Sequence, residues 1–341
     1  MGGDHAPAPE VEGALAAVGE RDLEVILVGD EARLRAQLAG RSHPRLQIRH
    51  ATQVIAMDDA PSVAVKSKKD SSMRVCFDLA KRGEAQAVLS AGNSGAMMAC
   101  GLFVSKRLPG VERPGIFTVA PTVDGSHCVV LDVGANTEVK PTTLAQFAVM
   151  GSAYARLILG KERPRVAVLA NGEEPSKGTD LTREAYRMLA QPARKDFEFR
   201  GYAEGRDVFF GDFDVVVTDG YTGNVALKTF EGAVRAVFDM LKSEVSKRPR
   251  AKLGAFLMKP AFEALKRRIE PDEFGGAPLL GVTAVVIICH GNSSATAIKN
   301  GIFAADRYVG TGVQPAIVDA IARHRPLWEP AVQAPAKVAA E

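Results

Sequence analysis

The 341-residue sequence predicts a doubly wound α/β fold, a mostly parallel sheet flanked by helices, and three observations carry that expectation. Six short apolar runs recur, each closed by glycine: EVILVG (24–29), AQAVLSAG (85–92), HCVVLDVG (127–134), RVAVLANG (165–172), FDVVVTDG (213–220) and VTAVVIICHG (282–291). Apolar residues at nearly consecutive positions are how strands buried on both faces of a parallel sheet read. Stretches of helical length alternate with them, at 142–160, 179–190, 223–246 and 293–309. Strand alternating with helix selects the α/β class.

Composition bounds the function. With 46% hydrophobic and 24% charged residues, the chain is an ordinary globular protein. Its net charge of +3 comes without a long basic run interleaved with aromatics, so no nucleic-acid partner is expected. Cys76, Cys100, Cys128 and Cys289 lie far apart with no CxxC spacing, which fits reduced thiols in the cytoplasm. Residues 85–105 carry no charge, but Gly92, Asn93 and Ser94 interrupt them, making a poor membrane span. No secretory leader is expected ahead of the first motif.

In a doubly wound sheet the loops after the strands are expected along one edge, where ligands bind. Here those loops span 91–95, 134–137, 171–174, 219–224 and 290–294, rich in Gly, Asn, Ser and Thr, and several lead into helices. Glycine lets backbone approach a ligand closely, and a helix N-terminus offers free N–H groups that suit phosphate. For any single loop, Ser and Asn acting only as helix caps is an adequate account. Several such loops together point to an anion. Neither a Walker A pattern nor GxGxxG is present, and no cofactor and no metal is expected.

The loops stand among further motifs in fixed order: MGGDHAP, KKDSSM, AGNSGAMMA, ERPGIFTVAPT, LDVGANTEVKP, QFAVMGSAYA, NGEEPSKGTDLT, EGRDVF, VVVTDGYTGNVALKTFEG, GGAPLLGV and CHGNSSATAIKNGI. Over residues 1 to about 310 this resembles the PlsX-type phosphate acyltransferases of bacterial phospholipid synthesis. The resemblance implies a reversible reaction of acyl-[acyl carrier protein] with inorganic phosphate, giving acyl phosphate and free carrier protein. It implies a homodimer with a fold similar to phosphotransacetylases and isopropylmalate dehydrogenases, peripheral on the inner face of the cell membrane. Its product would feed a membrane glycerol-3-phosphate acyltransferase. Relatives carry a short strand ahead of the residue that is Met1 here, so the Asp4-His5 loop is expected to be less well anchored without it. Ala284 stands where relatives carry glycine.

Phosphate is already a nucleophile near neutral pH, and a thiol of pKa about 8.5 leaves with little help. The reaction therefore asks for positioning and oxyanion stabilisation rather than a covalent relay. No GxSxG elbow is present, which fits direct attack without an acyl-enzyme. For phosphate the candidates are Asn93, Ser94, Gly95, Asn292, Ser293 and Ser294. For catalysis they are His290, His5, Lys299 and Lys228. A satisfied structural histidine fits His290 equally, and a capping role fits His5. Lys140 and Lys177 also lie just past loops of the expected edge, where Asp219, Glu173 and Glu174 are placed to orient cations.

The expected α/β domain comprises 1–241 and 271–328, with a disordered tail at 329–341. Between its parts, residues 242–270 hold nine basic and three acidic residues. Apolar positions interleave them at helical spacing, with Pro260 as a break. Leu253, Phe256 and Leu257, with Lys252 and Arg267, suit an anionic membrane surface, an acidic carrier protein, or the other subunit. Three other readings compete: a phosphotransacetylase using coenzyme A, a dehydrogenase of the isopropylmalate type, and a non-catalytic membrane scaffold. Clustered Asp ligands for Mg²⁺ are not visible, and a scaffold has no need of the dense polar loops.

Overall fold

Consecutive apolar side chains give strands sealed on both faces. Val215, Val216 and Val217 expose no surface, and Cys128, Val129, Val130 and Leu131 are all buried. The computed structural model describes residues 1–192, 195–269 and 275–329. A small parallel pair, β1 (Val25–Gly29) and β2 (Leu46–His50), stands apart from an eight-stranded sheet. In chain order the large sheet holds β3 (Ala87–Ser90), β4 (Gly115–Pro121), β5 (His127–Leu131), β6 (Arg165–Leu169), β7 (Glu198–Ala203), β8 (Val215–Val217), β9 (Ala277–Leu280) and β10 (Val285–Ile288). Their spatial order is β3-β10-β9-β4-β5-β8-β6-β7.

Strand direction revises one expectation. Four of the seven neighbouring pairs are parallel, but β10–β9, β9–β4 and β4–β5 are antiparallel. Consequently β3, β10 and β4 point one way, while β5, β8, β6 and β7 point the other. The loops leaving β3 and β10 thus emerge at one edge, and those leaving β5, β6 and β8 at the opposite edge. The expected single row of loops is two rows. The reversal is made by the tight turn between β4 and β5, where Asp124 accepts hydrogen bonds from Thr122 Oγ1 (2.5 Å) and Ser126 N (3.0 Å). Gly125 takes the positive φ of +85° that this turn requires.

Twelve helices are described: α1 (Ala8–Glu20), α2 (Glu31–Leu38), α3 (Pro61–Ser67), α4 (Ser72–Lys81), α5 (Ser94–Cys100), α6 (Pro141–Ile158), α7 (Asp180–Ala190), α8 (Gly220–Ser246), α9 (Pro249–Leu257), α10 (Lys259–Ile269), α11 (Ala295–Thr311) and α12 (Val313–His324). Successive strand residues serve opposite cores, as the pleat dictates. Val129 and Leu131 join Phe117, Phe147 and Ile321 on one face, while Cys128 and Val130 join Phe77 and Met97 on the other. Helix α6 is buried continuously from Thr143 to Ala155, with Thr143, Gln146 and Ser152 as its buried polar members. A third, smaller cluster of Val11, Ala14, Leu27, Leu34 and Leu38 sits under α1, α2 and β1.

Helix α8 behaves differently. Its 27 residues span about 40 Å at 1.5 Å each, and only Gly220 and Gly223 are buried. Phe230 stacks on Phe209 at 4.2 Å between ring centroids, after which the helix runs on to α9. The break ascribed to Pro260 falls just before it, at Met258, because proline is well tolerated in the first turn of a helix such as α10. The side chain of Arg267, with residues 270 and 330–341 of the expected excursion and tail, lies outside the described residues. Among the described residues no helix is long and apolar enough to cross a membrane.

Candidate functional site

Two polar corners result from the two strand directions. The first forms where β3 and β10, parallel neighbours, end side by side, with Cys289 N donating to Ser90 O at 2.9 Å. The N-terminal segment lies across both loops. Asp4 N donates to Gly291 O at 2.8 Å, and a Cβ on Gly3 would stand 3.2 Å from that oxygen and 3.4 Å from Ala91 Cβ. His5, His290, Ser94, Gly95, Asn292 and Ser294 are exposed here, and Ser293 is buried. Thus the loops singled out in the sequence do meet.

Their side chains, however, have other partners. Asn93 Nδ2 donates to the carbonyls of Ala56, Met57 and Asp59 at 3.0–3.2 Å, and its Oδ1 caps α5 through Ala96 N at 2.9 Å. That leaves Asn93 no donor for an anion, so it closes the 56–59 loop instead. Ser294 caps α11 through Ala297 N (3.1 Å). Lys299 does not reach the corner either. Its ammonium turns to Glu20 Oε1 at 2.7 Å, near the far end of α1. Lys68 is held by Asp59 at 2.5 Å, and that bond with the Ala56 N–H holds the Asp59 carboxyl below its usual range. Acidic groups also crowd in. Asp4 lies against Gly291, and Glu10, beside Gly3, has a buried Oε2 with no hydrogen-bond partner.

The second corner lies where β5, β8 and β6 end. Asp132, fully buried, anchors it. One carboxylate oxygen accepts from the N–H groups of Ile116, Gly134 and Ala135, the other from Asn136 N and Nδ2, all at 2.7–3.1 Å. Burial pushes its pKa up, against the pull of those donors. The start of α8 presses onto this loop. Gly220 N donates to Asn136 O at 2.7 Å, and a Cβ on Gly223 would meet Asp132 O at 1.9 Å, so only glycine fits. Asp219 caps the helix through Thr222 N (2.8 Å). Asn224 follows, exposed beside Gly134, with no side-chain hydrogen bond among the described residues.

After β6, Asn171 Oδ1 accepts from Gly178 N at 2.9 Å and folds the 171–178 loop back. Lys177 is left with a loose 3.9 Å contact to Glu174. The Tyr202 hydroxyl, next to Gly178, is buried without a partner. Lys140, mostly exposed, stands 3.7 Å from Glu112. Lys228 lies two turns into α8, paired with Glu231 at 2.8 Å, at the opposite sheet edge from the histidines. Carboxylate oxygens of Glu173, Glu204 and Asp207 lie within 4.8 Å of one another, with Arg206 paired to the last two. Asn171 and Asn224 lay inside loops noticed in the sequence; what hid them was that their neighbours' bonding could not be read.

Residues 1–315 match the family model described as fatty acid synthesis protein. The phosphate acyltransferase of Syntrophotalea carbinolica is 50% identical over 328 residues, covering 96% of this chain and 93% of that protein. That of Myxococcus xanthus is 51% identical over 329 residues, covering 95% and 92%. The chain belongs to the PlsX-type phosphate acyltransferase family. It is therefore an acyltransferase of fatty acid and phospholipid synthesis, and a phosphate acyltransferase must hold phosphate and an acyl donor together. Among solved structures, the EutD phosphotransacetylase from Staphylococcus aureus superimposes with a TM-score of 0.56 at 17% identity, covering 88% of this chain and 92% of that one. A phosphotransacetylase from Streptococcus pyogenes gives 0.55 at 17%, covering 93% and 92%. At that identity they show the shared fold, in agreement with the class read from the sequence.

Proposed function

We propose that this phosphate acyltransferase moves the acyl group of acyl-[acyl carrier protein] reversibly onto inorganic phosphate. A phosphate oxygen attacks the thioester carbonyl carbon, the carbonyl oxygen becomes an oxyanion, and its collapse forms acyl phosphate and expels the carrier thiolate. Every step needs an anion held and a negative oxygen stabilised, so cations and free N–H donors matter most. The observation that carries the assignment is that a loosely held Lys177 follows β6 while the unbonded Asn224 amide stands at the start of α8 after β8, and these neighbouring strands end at the same sheet edge. Helix α8 points its positive N-terminal end at the same place. In this reading Lys177 neutralises phosphate and Asn224 donates to it or to the oxyanion, while Asp132 holds the loop.

The corner of His5, His290, Ser94, Gly95, Asn292 and Ser293 is the second reading, favoured by two adjacent loops with exposed first-turn residues of α5. One assay separates them: purified protein with acyl-[acyl carrier protein] and phosphate, following acyl phosphate, with acyl-coenzyme A as the control. Asn224→Ala is expected to lower kcat/KM about 100-fold or more, the effect of removing one oxyanion donor, with Ser293→Ala near wild type. The reverse ranking moves the chemistry to the histidine corner. Activity with acyl-coenzyme A alone replaces the carrier.

The protruding helices suit two surfaces. Phe256 and Leu257 are more than 70% exposed beside Lys252, as an anionic membrane surface on the cytoplasmic side would need. Val237, Met240 and Leu241 on α8 are exposed too, and suit a second copy of the chain in a homodimer. Product released at the membrane then passes to a glycerol-3-phosphate acyltransferase there.

A further inference from the structure

On the sheet face covered by α6 and α11, a cavity of about 650 Å³ opens between the C-terminus of α6, the β4–β5 turn, α11 and the end of α10. Its polar wall carries His127, Lys161, Arg268, Asn300, Arg307 and Tyr308; its apolar wall includes Val119, Ile158 and Ala304. The charges are unbalanced. Lys161 and Arg165 share one carboxylate, Asp214, at 3.0 Å each, so this trio keeps a net positive charge. Arg268 donates to the Thr122 carbonyl at 3.1 Å, a neutral partner. Arg307 makes no ion pair among the described residues. Burial, then the charges of Lys161 and Arg268, push the His127 pKa down, against Asp124.

Asp124 in the β4–β5 turn offsets one of the three net positive charges, so a single carboxylate would leave such a site positive; a doubly charged phosphate with an uncharged body matches both walls. We propose that this cavity binds a phosphate monoester, its charged end among Arg268, Arg307 and Lys161 and its uncharged body along Val119, Ile158 and Ala304. The site is separate from the reaction edge. His127 begins β5 and Leu131 ends it just before Asp132, about 13 Å apart at 3.3 Å per residue. The ligand chemistry is shared by soluble phosphate monoesters and by the phosphomonoester headgroup of a phosphatidic acid-type lipid.

The test follows the His127 imidazole resonance in the full-length protein, assigned by its loss in His127→Gln. Octyl phosphate, glycerol 3-phosphate and inorganic phosphate are titrated separately, with octanol and sulfate at matched ionic strength as controls. A further arm uses vesicles containing phosphatidic acid, with zwitterionic vesicles as the control. The expected result is a saturable shift with octyl phosphate and an upward move of the His127 pKa. Binding should weaken about tenfold or more in Arg307→Gln and in Arg268→Gln, as loss of a hydrogen bond to a charged group predicts. Both arginines are exposed, so both variants are expected to fold and to keep wild-type turnover at saturating phosphate. A response to phosphatidic acid vesicles alone assigns the headgroup as ligand, and a response to soluble esters alone assigns a metabolite; either supports the site. No response to any phosphate probe, an equal response to sulfate, or an unchanged response in the double variant overturns it.

Discussion

Gly223 and Asn93 show how single residues decide between scaffold and chemistry. Both stand in loops that look alike in the sequence. At Gly223 there is no room for a side chain, because a Cβ would lie 1.9 Å from the Asp132 carbonyl oxygen. Gly223→Ala should therefore push α8 off the loop and cost about 1–3 kcal/mol, as overpacking does, measured by urea unfolding. Activity should fall with it, since Asn224 rides on that turn; wild-type stability would mean the approach is looser than described. Asn93→Ala loses a helix cap, about 1 kcal/mol, together with three carbonyl contacts. It should lower stability with little change in the KM for phosphate, and a KM effect at unchanged stability would return Asn93 to the site. Sequence shows that an asparagine ends a strand. It does not show whether the amide faces the protein or the solvent, and that distinction separates Asn93 from Asn224.

Whole elements carry two further consequences. Leu257, at the end of α9, is 72% exposed, so Leu257→Glu is expected to leave the melting temperature unchanged. The same variant should detach the protein from anionic vesicles in a sedimentation assay, while turnover on soluble substrate persists. Unfolding would mean the stripe is internal. Asp214 ties the starts of β8 and β6: its N–H donates to the Arg165 carbonyl, and its carboxylate accepts from the Arg165 N–H and guanidinium and pairs with Lys161. Burial pushes its carboxyl up, but those bonds outweigh burial and hold it below the usual range. A depressed carboxylate contributes stability that is present above its unfolded pKa, about 3.9, and is lost as pH falls through the folded value. The wild type should therefore lose stability below about pH 4 more steeply than Asp214→Asn. At pH 7 the variant should be weaker by about 3 kcal/mol or more, because two cations lose their partner. Identical acid unfolding profiles would show that the clamp contributes nothing.

At the scale of the molecule, strands were readable and their directions were not. Glycine-closed apolar runs located β1, β3, β5, β6, β8 and β10, and the alternation placed α6, α7, α8 and α11. β2, β4, β7 and β9 escaped; Gly115, Pro121 and Pro278 punctuate β4 and β9 like loops, yet these two strands reverse the sheet and divide the loops between two edges. Hydrophobic pattern records burial, and burial is the same whichever way a strand runs. The small β1–β2 pair has a different standing. It rests on its own five-residue cluster and pairs with no strand of the main sheet, whereas β5 and β8 lie centrally between the two large cores. Two strands with one thin core are only marginally stable by themselves, so this unit should open locally well before global unfolding. Hydrogen exchange read by mass spectrometry should find amides of 25–29 and 46–50 exchanging at least about tenfold faster than those of 129–131 and 215–217, a gap of about 1.4 kcal/mol in opening free energy. Equal protection would mean that α1, packed along α11 through Gly13 against Ile298, binds the small unit into the same cooperative fold.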